Sequence, residues 1–116
     1  MNPTTRKTHS FDVYAVSVEL ITCELKPIAL VLDGRDRALA IQLRKAASSV
    51  SLNLGEGQRR GGRDRLQLFR IASGSANEVR ACLDVGVAWG WLDADRIERA
   101  RELLDRVLAM LWRLTH

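Results

Sequence analysis

Apolar residues recur at intervals of three and four along four long segments of the chain, and this pattern constrains its fold more than any other feature. Such spacing places one apolar side chain per turn on a single face of an α-helix. The last segment shows it most clearly, in the series Ile97, Ala100, Leu104, Val107, Leu111 and Leu114. The strand-like alternation of apolar and polar residues is absent from the sequence.

Short polar or glycine-containing turns separate these segments, at residues 33–36, 58–62 and 90–92. Either Asp93 or Asp95 offers an N-cap for the fourth helix. Short connections force consecutive helices to run antiparallel. The sequence therefore predicts an all-α fold, an antiparallel up-down-up-down four-helix bundle over residues 11–116, preceded by a flexible N-terminal tail over residues 1–10.

The first and third segments each carry two apolar stripes, although a bundle helix needs only one. In the first segment, one stripe comprises Phe11, Tyr14, Val18, Ile21, Leu25, Ile28 and Leu32, and the other comprises Val13, Val16, Leu20, Cys23, Pro27 and Leu30. We expect further copies of the chain to bury the surplus, with a different partner or simple exposure as the alternatives. Pro27 predicts a kink or short break, because proline lacks the backbone N–H.

Positive charge is concentrated in the middle of the chain. Residues 35–80 contain ten basic and four acidic side chains, a net charge of +6 within a chain of formal net charge +4. Because most of these cations are arginines, whose planar guanidinium group binds phosphate bidentately, the pattern favours an anionic polymer as partner. A solvated basic face is the alternative. We expect Trp89, Trp91 and Trp112, at or near apolar stripes and helix ends, to serve packing.

The sequence gives little indication of a catalytic site. Its two histidines, His9 and His116, lie near the ends of the chain, where catalytic geometry is hard to hold. Cys23 and Cys82 are far apart and lack metal-ligand spacing, so we expect no metal site, disulfide or cofactor. No apolar run reaches the length of a membrane span, and no signal-peptide core follows the N-terminus. We expect a cytoplasmic, non-enzymatic protein.

A polar stripe follows the apolar face of the second segment at Gln42, Ser49, Asn53, Glu56 and Arg60. Small and polar residues of the third segment, including Ser75 and Glu78, lie across the turn. We interpret Gln42, Ser49, Asn53, Glu56 and Glu78 as a structural polar network that fixes the helix register, since buried polar groups must satisfy one another. A ligand site is the alternative.

Several of these residues also stand in a pattern known from a protein family. They are Gln42, Arg44, Ala46, Ala47, Ser49, Val50, Asn53, Leu54, Gly55, Glu56 and Gly57, then Ile71, Ala72, Gly74, Ser75 and Glu78, and finally Gly90, Trp91 and Leu92. The chain resembles, from Phe11 to about Leu114, the four-helix-bundle proteins encoded by intervening sequences of bacterial large-subunit ribosomal RNA genes. It departs from them at Ser51, where proline is common, and at Gly55, where alanine is usual. The resemblance implies a ring of antiparallel bundles, typically a homopentamer.

A related branch is similar to the accessory variability protein of diversity-generating retroelements, a basic pentamer that binds nucleic acid and associates with a reverse transcriptase. Carried over to this chain, the resemblance implies phosphate contacts by Arg44, Lys45, Arg59, Arg60, Arg63, Arg65 and Arg70. We therefore expect a homo-oligomer that binds RNA or DNA, with a nucleic-acid-processing protein as a further partner. The alternative is a structural scaffold that binds another protein and no nucleic acid.

Overall fold

The computed structural model describes residues 10–116 as a bundle of four helices, with principal extents of 41 × 31 × 20 Å. Helix α1 consists of Ser10–Glu19, a π-helical segment Leu20–Leu25 and Lys26–Asp33. Helices α2 (Arg37–Gly57), α3 (Gly62–Ala88) and α4 (Glu98–Thr115) follow. No strand occurs among these residues, which confirms the all-α prediction. The predicted tail lies outside the described residues, apart from Ser10.

Each helix packs against its two neighbours, α1 and α3 both lying against α2 and α4. The core between them is apolar, and its largest fully buried side chains include Phe69, Ile28, Leu43 and Leu104. Burying such side chains supplies most of the free energy that holds helices together in a bundle. No helix within residues 10–116 is both long enough and apolar enough to cross a lipid bilayer.

The π-helical segment explains the two apolar stripes of α1. The buried side chains up to its first residue, Val13, Val16 and Leu20, belong to one stripe, and those from its last residue onward, Leu25, Ile28 and Leu32, belong to the other. The extra residue of the wider turn rotates the core-facing side from the first set to the second. The interruption predicted at Pro27 takes this form, with the Lys26 N–H donating to the carbonyl of Ile21, five residues earlier. Most of the supposed surplus is therefore one continuous core face.

Helix α3 likewise uses both of its stripes inside a single chain. Its buried residues are Phe69, Ala72, Ala76, Val79, Cys82, Leu83 and Gly86, which together form one wide face toward α2 and α4. The double stripes consequently do not require a second copy, contrary to the reasoning from the sequence. Large apolar side chains that do remain exposed include Leu30, Ile41, Leu52 and Ile71.

The three turns hold the helices in register. The Asp36 carboxylate caps α2 by accepting a hydrogen bond from the Leu39 N–H at 3.1 Å. Gly62, with φ +59°, and Gly90, with φ +79°, supply the left-handed backbone of the other two turns. The predicted cap at Asp93 or Asp95 is wrong, because α4 begins only at Glu98. The Asp93 carboxylate instead accepts from the Asp95 N–H in the preceding turn.

Helices α2 and α3 approach closely at Gly57, and this contact generates a stability prediction. A Cβ atom at Gly57 would lie 2.6 Å from the Phe69 ring, whereas a Cβ at Gly74 meets no atom within 4 Å. We expect Gly57→Ala to lower the free energy of unfolding by about 1–3 kcal/mol. Gly74→Ala, the control, should raise it by about 0.5–1 kcal/mol, because alanine favours a helix over glycine.

Urea denaturation followed by circular dichroism measures both variants. Equal stability of Gly57→Ala and the parent chain would contradict the close approach, since a buried aromatic ring has little room to move aside.

Candidate nucleic-acid interface

The predicted phosphate contacts lie on α2, on α3 and in the turn between them, but they form two separate groups. Arg44 and Lys45 are in the first half of α2, whereas Arg59, Arg60, Arg63, Arg65 and Arg70 surround the α2–α3 turn. Helical rise puts about 20 Å between Arg44 and Arg59. The sequence-predicted set is therefore not one patch, and the local partners of each side chain decide what it does.

Arg44 connects two helices. Its guanidinium donates two hydrogen bonds to the Asp33 carboxylate, at 2.8 and 2.7 Å, and so joins α2 to the end of α1. This hydrogen bonding lowers the pKa of Asp33 and raises the pKa of Arg44. Arg37 adds a longer contact to Asp33 at 3.9 Å. The charge of Arg44 is thus already matched by a carboxylate.

Arg60 and Arg65 hold the α2–α3 turn together. Arg60 forms an ion pair with Glu56 at 2.6 Å and lies 3.8 Å from Asp64, so it connects the end of α2 to the start of α3. Arg65 donates to the backbone carbonyls of Gly57 and Gln58, at 3.2 and 3.1 Å. These carbonyls have lost their helical partners at the end of α2, and a cation there also suits the helix dipole.

The other four basic side chains, Lys45, Arg59, Arg63 and Arg70, are exposed. None of them forms an ion pair with a residue in the described part of the chain. Arg63 and Arg70 are seven residues apart on α3, which is close to two full turns and places them on one side of the helix. Arg59, Arg63 and Arg70, named here the free arginine cluster, therefore mark one end of the bundle.

The predicted polar network divides into three sets of contacts. Ser49 and Ser75 bridge α2 and α3 with hydroxyl oxygens 2.7 Å apart, and the Asn53 amide donates to the Ser49 carbonyl at 2.8 Å. These three side chains are half-buried. Gln42 donates to Glu78 at 3.2 Å in an exposed contact, while Glu56 belongs to the turn with Arg60.

A buried hydroxyl pair between α1 and α2 was missed by the sequence analysis. The Ser17 and Ser51 oxygens lie 2.9 Å apart. Ser17 donates to the carbonyl of Tyr14 at 2.7 Å, so Ser51 donates to Ser17. The signal for this pair was the position of Ser17 among Val13, Val16 and Leu20, inside an apolar stripe where a polar side chain needs a partner.

Aromatic rings at the end of α4 are a second feature that the sequence analysis missed. Trp112 was expected to serve packing, yet 60% of its surface is exposed, and its ring stacks on His116 with centroids 3.4 Å apart. Trp89 is also exposed, at the opposite end of the bundle, where it stacks on Trp91. The spacing of four between Trp112 and His116 was the available signal, since residues so spaced meet on a helix surface.

The rest of the described structure has fewer groups that could bind a ligand or react. A cavity of about 230 Å³ lies between α1 and α2, lined mainly by apolar side chains such as Leu25 and Leu43 with Lys26 and Arg44 at its rim. Burial raises the pKa of the Cys82 thiol, and the charge of Glu78 raises it further. The raised pKa disfavours the reactive thiolate. Across residues 10–116, no three histidine, cysteine or acidic side chains are grouped to hold a metal ion.

Comparison with known proteins supplies a family and a fold. The family model of the 23S rRNA-intervening sequence proteins matches this sequence over residues 10–113. A crystal structure of a protein of unknown function from the S23 ribosomal protein family of Bacteroides thetaiotaomicron superposes with a TM-score of 0.82 at 17% identity, covering 89% of this chain and 97% of that one. At this identity the likeness concerns the fold alone. The curated proteins contain no match.

The Asp33–Arg44 pair generates a pH-dependent stability prediction. The folded chain holds the pKa of Asp33 below its ordinary value of 3.8, so the pair stabilises the fold fully above that value and loses its effect as the pH falls through the lower folded pKa. We expect Asp33→Asn to lower the urea midpoint at neutral pH, and the gap from the parent chain to narrow below pH 3.8.

Urea denaturation over a series of pH values measures this gap. Asp95→Asn is a suitable control, because the side chain of Asp95 is exposed and outside the ion pairs of the described residues. A gap that stayed constant with pH would mean that Asp33→Asn acts through something other than the lost charge.

Proposed function

The chain belongs to the 23S rRNA-intervening sequence protein family, and we propose that it is a non-enzymatic protein that binds RNA or DNA through the end of the bundle carrying Arg59, Arg63 and Arg70. The observation that carries this proposal is that these arginines are exposed and have no carboxylate partner within residues 10–116. A guanidinium group without an internal carboxylate partner binds phosphate without first breaking an ion pair.

The contacts in this proposal are made to the phosphate backbone and not to base edges. Arginines that neutralise phosphates release condensed counterions, so the affinity falls steeply as the salt concentration rises. Lys45 is exposed but lies apart, in the first half of α2, whereas Arg44, Arg60 and Arg65 hold neighbouring helices and turns in place. The free arginine cluster therefore supplies most of the binding, with little preference for sequence.

We also propose that the protein self-associates as a ring, with five copies as the expected number. Ile41, Leu52 and Ile71 expose 46%, 71% and 41% of their surfaces on the outer side of the α2–α3 pair. Exposed apolar side chains of this size favour burial against another surface. Five copies of a chain with charge +4 carry about +20, which strengthens attraction to phosphate. The proposed setting is the cytoplasm, with a nucleic-acid-processing protein as a further partner.

The nucleic-acid proposal predicts a charge effect that depends on position. We expect R59Q/R63Q/R70Q to weaken binding of fluorescein-labelled RNA and DNA, and to reduce the slope of log affinity against log salt concentration by about 2 to 3. The control R35Q/R96Q/R106Q removes the same charge from exposed arginines away from the α2–α3 turn, and should change the slope much less. Fluorescence anisotropy across a salt series measures both.

Two results would contradict this proposal. Equal loss of binding in the two triple variants would assign the effect to net charge alone. Absence of binding at low salt would favour the alternative of a protein-binding scaffold, for which the apolar cavity between α1 and α2 offers a groove.

The ring proposal predicts the mass of the particle in solution. Light scattering should give five times the 13.0 kDa of one chain. Leu52→Glu places a charge at the most exposed of the large apolar side chains described, and we expect it to reduce this mass while the helical circular dichroism signal is retained. A parent chain with the mass of one copy would exclude the ring.

A further inference from the structure

The rings of Trp112 and His116 stack on each other and form an aromatic surface at the end of α4 that packing within the chain does not explain. Their centroids lie 3.4 Å apart with 20° between the ring planes. The His116 Nδ1 atom lies 3.2 Å from the carbonyl oxygen of Trp112 and donates to it, since a carbonyl only accepts. Because 60% of Trp112 is nevertheless exposed, the pair presents flat apolar surface to solvent at a position held by the helix.

Two ion pairs establish where this aromatic surface lies relative to α3. Arg80 of α3 contacts Asp105 of α4, and Asp84 of α3 contacts Arg101 of α4. Because the two helices are antiparallel, each residue closer to the start of α3 lies level with a residue closer to the end of α4. Trp112 is seven residues beyond Asp105 and therefore lies on the same, α3-facing side of α4, about 10 Å further along the axis.

The same register brings the aromatic surface to the free arginine cluster. Moving seven residues from Arg80 toward the start of α3 reaches Ser73, which is level with Trp112, and Arg70 lies one turn beyond, level with His116. Arg63 follows about 10 Å further along α3. The aromatic pair and Arg70 thus lie at the same end of the bundle, and Arg63 lies beyond the end of α4 on the solvent-facing side of α3.

We propose that this end of the bundle binds unpaired nucleotides, with a nucleobase stacked on the Trp112–His116 surface, a neighbouring phosphate held by Arg70 and a phosphate further along the strand held by Arg63. The inference rests on the proposed nucleic-acid function and specifies its substrate class as single-stranded RNA or DNA. Stacking needs a base whose face is free, which a continuous duplex does not offer along its length. Every base has such a face, so this recognition is largely independent of sequence.

The other exposed tryptophan provides a matched control. Trp89 is 68% exposed and stacks on Trp91 with centroids 5.5 Å apart, but it lies at the far end of α3, directly before the acidic turn containing Asp93 and Asp95. Asp93 and Asp95 outnumber Arg96 in this turn, so the same ring type is present there beside a net negative charge, which repels phosphate.

The test compares Trp112→Leu and Trp89→Leu on three fluorescein-labelled probes. The probes are a twelve-nucleotide oligouridylate, an abasic ribose-phosphate strand of the same length, and an RNA duplex. We expect Trp112→Leu to weaken oligouridylate binding by about tenfold, and to leave binding of the abasic strand and the duplex within about twofold. Trp89→Leu should bind all three probes as the parent chain does. Thermal melting checks that both variants remain folded.

Fluorescence quenching provides a second measurement that does not depend on losing Trp112. In W89F/W91F, Trp112 is the one remaining tryptophan of the three in the chain, so its emission reports on this site. We expect oligouridylate to quench that emission strongly and the abasic strand to leave it nearly unchanged, because only a base stacks on the indole.

The outcomes separate the two proposals. If the parent chain binds the probes but Trp112→Leu binds oligouridylate equally well, or loses the duplex to the same extent, the stacking site is excluded and the phosphate-binding function remains. If the parent chain binds none of the three probes at low salt, and no DNA strand or duplex either, both proposals fail.

Discussion

The close antiparallel packing of α2 against α3 is the constraint on which the rest of the molecule depends. At Gly57 the Phe69 ring occupies the space that any larger side chain would need, and further along the bonded Ser49 and Ser75 hydroxyls fix the same register. A close approach of this kind leaves room for only a short connection, and Arg60 and Arg65 complete it. The free arginine cluster is exposed at the same end of the bundle, beside the two arginines that hold the turn.

The π-helical segment of α1 illustrates what periodicity predicts and what it leaves open. Intervals of three and four predicted α1 correctly as a helix, and two stripes then suggested two buried faces. The structure has one face that changes stripe where Leu20 is followed by Leu25, an interval of five. That interval was visible in the sequence. Its meaning depends on which side of the helix meets the core, and this is decided by helices distant in sequence.

The candidate site was predictable by residue type and not by role. The count of charges identified the segment that contains Arg59, Arg63 and Arg70. It did not distinguish these three arginines from Arg44. Asp33, the partner of Arg44, is eleven residues earlier and across a turn, so only the packed helices show that this guanidinium is engaged. The exposure of Trp112 follows in the same way from the position of the core face of α4, which leaves residue 112 at its edge. The contacts between helices therefore determine which side chains are engaged in the fold and which are available to a ligand.

The proposed ring and the proposed nucleic-acid site depend on each other through symmetry. In a cyclic assembly of bundles whose axes run along the symmetry axis, every copy presents the same end to the same side. The free arginine cluster and the Trp112–His116 surface would then repeat around one face of the ring. Each site contributes only a few phosphates and one stacked base, but a strand that reaches several sites binds the later ones at high effective concentration. Loss of the ring should therefore weaken binding of a long strand far more than binding of a short one.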